Sequence, residues 1–453
     1  MLLLEVPVMV EPRLPQSTVR FVDNYCRAYQ HLFSDVRSFE AFTSLHLGLV
    51  APLSRKSLPA IAKAVGLPND QVLHHFLTHS PWQVEAVRYQ RLSLILEQTQ
   101  GQPIVLVLDD TGDRKKGKTT DYVDRQYIGN VGKVDNGMVS VNAYGVLGDL
   151  TFPLLFKVFK PRRRLKAEDV YHTKLQLAEQ IIQELLEFGF HFSLVLADSF
   201  YGESHPFLDV LDQFKLPWIM AIRSNHGVWM PKEAEVSYSP WQAFERVFAD
   251  GETETRYIQE IIFGQRFEWR YWTLTSDPAL LPANSTWMVM SHLSAEPDPA
   301  KFIGNLYGLR TWIEYGFKQC KNELGWADYR LTHYEQIERW WEMVSSVYLM
   351  VSLQFYGLGA QPPGILDEGQ CNLLTRLQQH PDWQEAKGWK RRFNNVQLLV
   401  QPFIFFCLLQ PWMRLFDLST LERGFTKLIR SINAFPGWSP LAPSAPTQHF
   451  SSA

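Results

Sequence analysis

Four side chains that together could act on a phosphodiester are spaced along one predicted helix. They are Tyr307, Arg310, Glu314 and Lys321. On a helix with roughly 100° per residue they fall within about 60° of one another. A carboxylate can bind a divalent cation, and Arg and Lys can bind phosphate, so this face carries groups that cleavage of a phosphodiester backbone needs. A solvated face with charges at i,i+4 and i,i+7 explains the same spacing, and this helix alone leaves both interpretations open.

The neighbouring edge of the same helix is apolar. The stripe is about 80° wide on a helical wheel, and it consists of Leu306, Leu309, Ile313, Phe317, Cys320 and Leu324. We therefore expect the helix to pack against a core and to present the four polar side chains beside that contact. Glu323 lies about 180° around the helix from Glu314 and is not expected to share its face.

The strands that must position further acids are predicted in the middle of the chain. Apolar runs predict strands at 104–110, 138–146, 151–159, 192–198 and 218–222, with helices at 175–186 and 207–214. The order is β-β-β-α-β-α-β. Asp110 ends the first strand and Asp198 ends the fourth, and strands in this order are normally neighbours in a sheet. Asp109 and Asp110 point to opposite sides of their strand, so only one of them can be a ligand of the same site.

These placements bring three distant acids to one edge of the predicted sheet. The helix that bears Glu314 follows the fifth strand after a β insertion, so Glu314 would join Asp110 and Asp198 there. Three clustered carboxylates repel one another unless cations lie among them, so the constellation implies metal. Two Mg²⁺ ions about 4 Å apart can activate a water or a 3′-hydroxyl and stabilise the leaving oxygen of an in-line displacement.

The flanking regions have a different composition from this core. Residues 1–100 are predicted to be helical, and 57–78 is a helix-turn-helix candidate with its turn at Gly66, for which a plain helical hairpin is the alternative. Residues 101–224 are the first part of the core, 225–298 a β insertion with a hairpin that turns at Gly264, and 299–356 the completion of the core. Residues 357–453 are predicted to be helical, with a loose tail from Pro436.

Two long uncharged segments, 343–366 and 393–413, could be taken for membrane spans. Each contains several Ser, Asn, Gln, Gly or Pro residues that would be uncompensated in hydrocarbon. We therefore predict that both are buried helices and that the protein has no membrane partner.

Composition describes an ordinary folded protein of 453 residues with a net charge of −3. That balance argues against a uniformly basic nucleic-acid binder, but residues 111–166 hold 12 Lys and Arg against 5 Asp and Glu. Such a local excess beside the acids could steer a polyanion. The four cysteines are scattered without metal-type spacing, which fits a reducing cytosol, and the first residues lack the basic region of a signal peptide.

The motifs together resemble a known family. Tyr307-x2-Arg310-x3-Glu314-x6-Lys321 matches the YREK signature of DDE insertion-sequence transposases, and the strand order resembles their RNase H-like fold, a β-β-β-α-β-α-β-[β insertion]-α core with helical N- and C-terminal regions. The segments 109–117, 197–202 and 321–325 resemble the family's local motifs. The resemblance covers about residues 40 to 350.

The resemblance implies a role for each matching residue. Asp110, Asp198 and Glu314 would bind two Mg²⁺ ions, for which Mn²⁺ can substitute, and the family's Asp-Thr pair favours Asp110 over Asp109. Arg310 and Lys321 would hold phosphates flanking the cut, and Tyr307 would hydrogen-bond one. The family also implies double-stranded DNA as partner, both as transposon ends and as target. It further implies a homodimer in a synaptic complex and a cytoplasmic, nucleoid-associated location in a prokaryote.

Basic residues outside the signature extend the predicted DNA surface. Those expected to contact the backbone are Lys115, Lys116, Lys118, Arg162, Arg163 and Arg164. A solvated basic loop is the alternative for each of them.

Three other functions fit parts of the sequence. The segment 112–119 formally satisfies G-x-x-x-x-G-K-T, which would make the protein a P-loop nucleotide hydrolase, but the residues after it do not predict the helix that a phosphate loop must open. A transposase-derived DNA-binding protein without catalysis would have no need of the three acids. A sequence-nonspecific nuclease could use the same core, and binding to inverted repeats separates it from a transposase.

Overall fold

A mixed β-sheet is the centre of the computed structural model, which describes residues 14–117, 119–230, 232–248, 251–291, 299–354, 368–385, 388–435 and 437. Its strands within these ranges are β1 (Ile104–Arg114), β2 (Asp124–Ile128), β3 (Lys133–Leu147), β4 (Leu150–Val158), β5 (Phe192–Ala197), β6 (Trp218–Ile222), β7 (Val236–Tyr238), β8 (Gln242–Val247), β9 (Thr253–Phe263), β10 (Arg270–Thr275) and β11 (Thr286–Met290). The helices are α1 (Arg20–Arg27), α2 (Val36–Val50), α3 (Leu58–Ala64), α4 (Gln71–Thr78), α5 (Val84–Thr99), α6 (Lys174–Phe188), α7 (Ser199–Gly202), α8 (His205–Gln213), α9 (Pro299–Gly308), α10 (Arg310–Asn322), α11 (Tyr334–Gln354), α12 (Glu368–Gln378), α13 (Trp389–Leu415) and α14 (Ser419–Ile432).

The parallel strands lie in the middle of this sheet. The strand order is β2-β3-β1-β5-β6-β11-β10-β9-β7, with β4 also paired to β3 and β8 to β9. β1 runs parallel to β5, with Val107 opposite Leu196, and β5 runs parallel to β6. The predicted adjacency of the strands that precede Asp110 and Asp198 is therefore confirmed. β3 is buried without interruption from residue 137 to 146, as expected for a strand covered on both faces.

The strand boundaries differ from the predictions at several points. β1 does not end at Asp110 but continues to Arg114, because Thr111 and the residues after it pair with β3. Backbone hydrogen bonding to β3 thus extends the strand through residues whose polar side chains do not predict one. The strands β2, β7 and β8 are not predicted, because their residues are mostly polar and exposed. The β insertion continues the central sheet, because β11 pairs with β6.

The predicted helix, turn and helix at residues 57–78 is confirmed in its local structure. α3 and α4 flank Gly66, whose φ of +78° is a left-handed conformation that glycine adopts without strain. The apolar side of α4, with Leu73, Phe76 and Leu77, is buried. His74 and His75 lie on its exposed side, which is open to solvent.

The two long apolar segments have different environments. Within the described residues, α11 is buried continuously from Trp340 to Gln354, as predicted. The prediction of burial is wrong for the second half of α13, since only 28% of its most apolar 18-residue window is buried. Exposed apolar residues there are Phe405, Leu409, Trp412 and Leu415. By length and composition α13 is the one described helix that could cross a membrane. The predicted loop at 362–363 and, apart from Gly437, the tail from Pro436 lie outside the described residues.

A buried histidine joins the N-terminal helices to the core. His46 of α2 lies against α11, with Nδ1 2.8 Å from the carbonyl oxygen of Phe42 and Nε2 2.8 Å from Oγ of Ser346. A carbonyl only accepts, so Nδ1 donates and Nε2 accepts the Ser346 hydroxyl proton. The neutral ring therefore satisfies both partners, and burial lowers the pKa of His46 to about 4.

Mild acid is expected to destabilise the protein through His46. Its folded pKa lies below the unfolded value of about 6.5, so the stabilisation is complete above that pH and is lost as the pH falls toward 4, by up to about 3 kcal/mol. Urea unfolding at pH 7, 5.5 and 4.5 measures this loss. His46→Gln should show a shallower decline than wild type, whereas parallel declines would contradict the assignment.

Candidate active site

The parallel pairing of β1 and β5 brings the predicted aspartates to one edge of the sheet. Asp198 follows the last residue of β5, and Asp109 and Asp110 lie on β1 just beyond the residues paired with β5. Oδ1 of Asp198 accepts the backbone N–H of Phe200 at 2.9 Å and so begins α7. A Cβ at Gly202 would lie 2.0 Å from the carbonyl oxygen of Ala221, so only glycine permits this close approach of α7 to β6.

Asp109 and Asp110 face different helices. Nη1 of Arg310, on α10, lies 3.5 Å from Oδ2 of Asp109. Nζ of Lys174, the first residue of α6, lies 2.5 Å from Oδ2 of Asp110. The other oxygen of Asp109 accepts the backbone N–H of Asp110 at 2.8 Å. Asp109 therefore lies on the face that α10 covers, and Asp110 on the face that α6 covers.

The helix that bears Glu314 packs closely on β3. Its predicted apolar stripe is confirmed, with Ile313, Cys320 and Leu324 fully or almost fully buried. A Cβ at Gly316 would lie 2.5 Å from Cε1 of Tyr144, so the missing side chain lets α10 approach the strand. α9 and α10 are joined at Leu309, whose φ of −63° and ψ of −22° remain helical, so the predicted single helix is interrupted at one residue only.

The four polar residues of this helix do not form a solvated face. Only Glu314 is well exposed, at 51% of its side chain, whereas Arg310 and Lys321 are exposed by 19% and 16% and Tyr307 is buried. Arg310 forms an ion pair with Glu314 in addition to its contact with Asp109. The solvated-face interpretation is therefore wrong for this helix.

Lys321 is held against the extended part of β1. Its Nζ lies 3.0 Å from Oδ1 of Asp113 and donates to Oγ1 of Thr111 and the carbonyl oxygen of Gly112, each at 2.8 Å. Asp109, Thr111 and Asp113 alternate along one side of β1. Arg310 and Lys321 therefore fasten α10 to that side at both of its ends.

Burial and repulsion raise the pKa values of the aspartates. Burial is the main reason that the pKa of Asp109 is raised to about 8; nearby Asp198 and Asp110 add to the rise, and Arg310 opposes it. Burial likewise raises the pKa of Asp198, with Arg310 again opposing the rise. Burial disfavours the charge of Arg310, but the surrounding phenol and carboxylates outweigh this and raise the pKa of the guanidinium. Burial therefore favours the neutral form of Asp109, because Arg310 does not fully offset the lost solvation of the carboxylate.

The donor set fits a divalent cation. Carboxylate oxygens are ligands that Mg²⁺ and similar hard cations prefer. The hydroxyl of Tyr201 is buried, makes no hydrogen bond to the described residues and interacts electrostatically with all three aspartates, as a donor beside a cation's ligand shell would. Within the described ranges no three acidic, histidine or cysteine side chains already converge as metal ligands. Glu314 is instead directed to Arg310.

The predicted DNA-contacting residues outside α9 and α10 lie on two segments that connect strands or a strand and a helix. Nζ of Lys115 lies 3.7 Å from the ring centre of Tyr329, and Lys116 is exposed. Lys118 lies outside the described residues. The residues Arg162, Arg163 and Arg164 form a short 3-10 helix after β4.

Strand register relates the arginine cluster to the aspartates. Thr111 of β1 is opposite Ser140 of β3, and Ser140 is opposite Val158, the last residue of β4. The chain that leaves β4 toward Arg162–Arg164 therefore starts from the same edge of the sheet as the aspartates. Arg162 and Arg163 are exposed there, and the guanidinium of Arg162 lies 4.0 Å from the ring centre of Tyr171.

The phosphate-loop alternative does not fit the local structure. Its first residue, Gly112, lies within β1, and the chain after Thr119 turns into the strand β2. A phosphate loop instead connects a strand to the N-terminus of a helix, where backbone N–H groups converge on phosphate. Residues 112–119 therefore give no support to nucleotide hydrolysis.

Two residues of this edge are not among the predicted site residues. Lys174 directly precedes the predicted helix 175–186, and its position is fixed by a Thr173–Gln176 capping box that the sequence does contain. Tyr201 lies inside the segment 197–202 that carries the resemblance. The position of neither residue in the sequence indicates that it lies near Asp110, because that proximity arises only when β1, β5 and α6 pack together.

Comparison with known proteins identifies the family of the chain. A family model described as DDE superfamily endonuclease matches residues 29–244, and one described as transposase DDE domain matches residues 168–350. The probable transposase for insertion sequence element IS701 of Microchaete diplosiphon is 58% identical over 332 residues, which are 73% of this chain and 87% of that protein. The resemblance inferred from the sequence is thus confirmed, and the chain belongs to the DDE insertion-sequence transposases, a family of DNA endonucleases.

Proposed function

We propose that this transposase cleaves DNA at the ends of its element and joins the freed ends to a target, using an RNase H-like core. The observation that carries the proposal is the meeting of Asp198 with the neighbouring Asp109 and Asp110 at the carboxyl edge of parallel strands, where α10, the helix that bears Glu314, contacts Asp109 through Arg310. Acids on separate elements that converge on one open edge are suited to a phosphodiester that approaches from solvent. The mixed sheet with flanking helices is consistent with that core.

Asp110, Asp198 and Glu314 would hold two Mg²⁺ ions, with Mn²⁺ able to substitute. When bound, these ions supply activation of the attacking water or 3′-hydroxyl and stabilisation of the leaving oxygen. Asp198 is fixed by its bond to the N–H of Phe200. Glu314 has to leave Arg310 to act as a ligand, and its half-exposed side chain has room to turn.

Arg310, Lys321 and Tyr307 would bind phosphates beside the cut. Arg310 is paired with Asp109 and Glu314, and Lys321 is paired with Asp113. Cation binding by the carboxylates would release Arg310 toward a phosphate, to which a guanidinium can donate two parallel hydrogen bonds. Lys115, Lys116, Lys118 and the cluster Arg162, Arg163 and Arg164 would contact the backbone farther from the cut.

The remaining regions would recognise and pair the ends. We assign end binding to residues 1–100, with the exposed side of α4 as the candidate contact, and keep 101–224, 225–298, 299–356 and 357–453 as core, β insertion, core completion and C-terminal region. A synaptic homodimer follows from the need to cut two ends together. We place the protein in the prokaryotic cytoplasm, associated with the nucleoid.

Specific binding to the element's terminal repeats tests this function against its two closest rivals. The protein is mixed with an end fragment or a scrambled fragment of equal length, in Ca²⁺ to suppress cutting, and binding is measured by fluorescence anisotropy. A transposase should prefer the true end by at least about tenfold, whereas a nonspecific nuclease should bind both equally. If end binding is specific but Mg²⁺ or Mn²⁺ produces no cleavage, the protein is a DNA-binding derivative.

A further inference from the structure

Lys174 is the first residue of α6, and it lies at the sheet edge that holds Asp109, Asp110 and Asp198 (the acidic edge). Oγ1 of Thr173 accepts the backbone N–H of Gln176 at 3.2 Å, and the Gln176 side chain accepts the N–H of Thr173 at 2.9 Å. This capping box fixes the first turn of α6. The Lys174 side chain, exposed by only 18%, then reaches Asp110 with its ammonium 2.5 Å from Oδ2.

Two aromatic rings lie near the ammonium of Lys174. Nζ of Lys174 lies 5.8 Å from the ring centre of Phe200 and 6.0 Å from that of Phe159. Ring faces attract a cation but cannot replace water as hydrogen-bond acceptors. Asp110 is therefore the anionic partner that holds Lys174 in this position.

Lys174 and Arg310 flank the acids from opposite faces of β1. Arg310 contacts Asp109 from α10, and Lys174 contacts Asp110 from α6. Lys174 occupies the charge position that a divalent cation bound by Asp110 would take over. A cation bound by Asp110 would weaken the ion pair with Lys174 and leave an ammonium beside the cut with no anion to neutralise it.

We propose that Lys174 is a further phosphate-binding residue of the active site, paired with Asp110 until a divalent cation takes that carboxylate. The inference rests on the proposed role of Asp110 as a metal ligand. Lys174 then holds a backbone phosphate on the α6 side of the cut, opposite Arg310. Arg162 and Arg163 are exposed and follow β4 at the same edge of the sheet. They would bind backbone phosphates farther from the cut.

The test compares Lys174→Gln and Lys174→Arg with a matched control. Lys157→Gln removes a similar ion pair, with Nζ of Lys157 2.7 Å from Oε2 of Glu184, between β4 and α6. Binding of an end fragment is measured in Ca²⁺ over a range of salt concentrations. Lys174→Gln should weaken DNA binding about fivefold and should lower, by about one, the slope of log affinity against log salt concentration. Lys174→Arg and Lys157→Gln should bind DNA like wild type.

A second experiment measures the affinity for Mn²⁺ in the absence of DNA. Binding is monitored by the electron paramagnetic resonance signal of Mn²⁺. Removal of the competing ammonium should tighten Mn²⁺ binding by about fivefold in Lys174→Gln, since a partly buried pair contributes about 1 kcal/mol. Unchanged Mn²⁺ affinity, or a normal DNA salt slope in Lys174→Gln, would overturn the proposal. If wild type itself fails to distinguish the true end, the proposed function fails, and the Mn²⁺ titration still decides the exchange at Asp110.

Discussion

Glu314→Gln is expected to abolish cleavage of the element's ends while leaving specific binding to them intact. The amide keeps the size of the side chain but loses the charge that holds a cation, which should remove several kcal/mol of transition-state stabilisation, or about 10³-fold in rate. Glu314 is half exposed and its partner in the described structure is Arg310, so the fold should tolerate the change. Single-turnover cleavage in Mg²⁺ and anisotropy in Ca²⁺ measure the two properties separately.

Glu323→Gln is the matched control for this variant. Glu323 lies at the end of the same helix and pairs with Lys390, with Oε2 2.7 Å from Nζ. It is directed away from the acidic edge, so its variant should cut at close to the wild-type rate. Normal cleavage by Glu314→Gln would remove Glu314 from the catalytic site.

Asp110→Asn is expected to reduce the cleavage rate nearly as much as Glu314→Gln does. Asp109→Asn should reduce that rate by no more than about tenfold. The side chain of Asp110 is the more exposed of the two, and its carboxylate forms an ion pair with Lys174. Burial raises the pKa of Asp109 to about 8, so without metal this side chain is largely protonated at pH 7 and an amide resembles it. A metal ligand loses its function as an amide, but a buried neutral acid loses little.

The rates of the two asparagine variants, measured on one end fragment in Mg²⁺, decide between the neighbouring acids. The reverse order of effects would assign the ligand to Asp109, which lies on the same side of β1 as Arg310 and α10. Equal and severe losses would mean that both carboxylates are required. Thermal unfolding of each variant shows whether a lost activity reflects a lost fold.

Much of the core could be predicted because its strands are continuous apolar runs. The strand 218–222 has the predicted bounds, and α6 ends at Gly189, whose φ of +106° explains why glycine stands there. The adjacency of β1 and β5 followed from the order of elements. The end of β1 could not be predicted, since Thr111–Arg114 are held in the strand by pairing with β3 and not by apolar side chains.

The site was predictable in its residue types but not in its contacts. The helical spacing of Arg310 and Lys321 predicts that they share a face, and they do. Their partners Asp109 and Asp113 lie on β1, and the contact with Asp113 depends on the unpredicted extension of that strand. The exposure of the second half of α13 was also not predicted. An apolar composition does not show whether another element covers a helix.

Cleavage of a DNA that carries the element's own two ends, with wild-type protein in Mg²⁺ or in EDTA, is the most direct test of the central claim. The expected cuts map to the junctions between element and flanking DNA, require the metal and disappear in Glu314→Gln. Cuts scattered along the DNA, cuts that persist in EDTA, or specific binding without cleavage in Mg²⁺ or Mn²⁺ would contradict it.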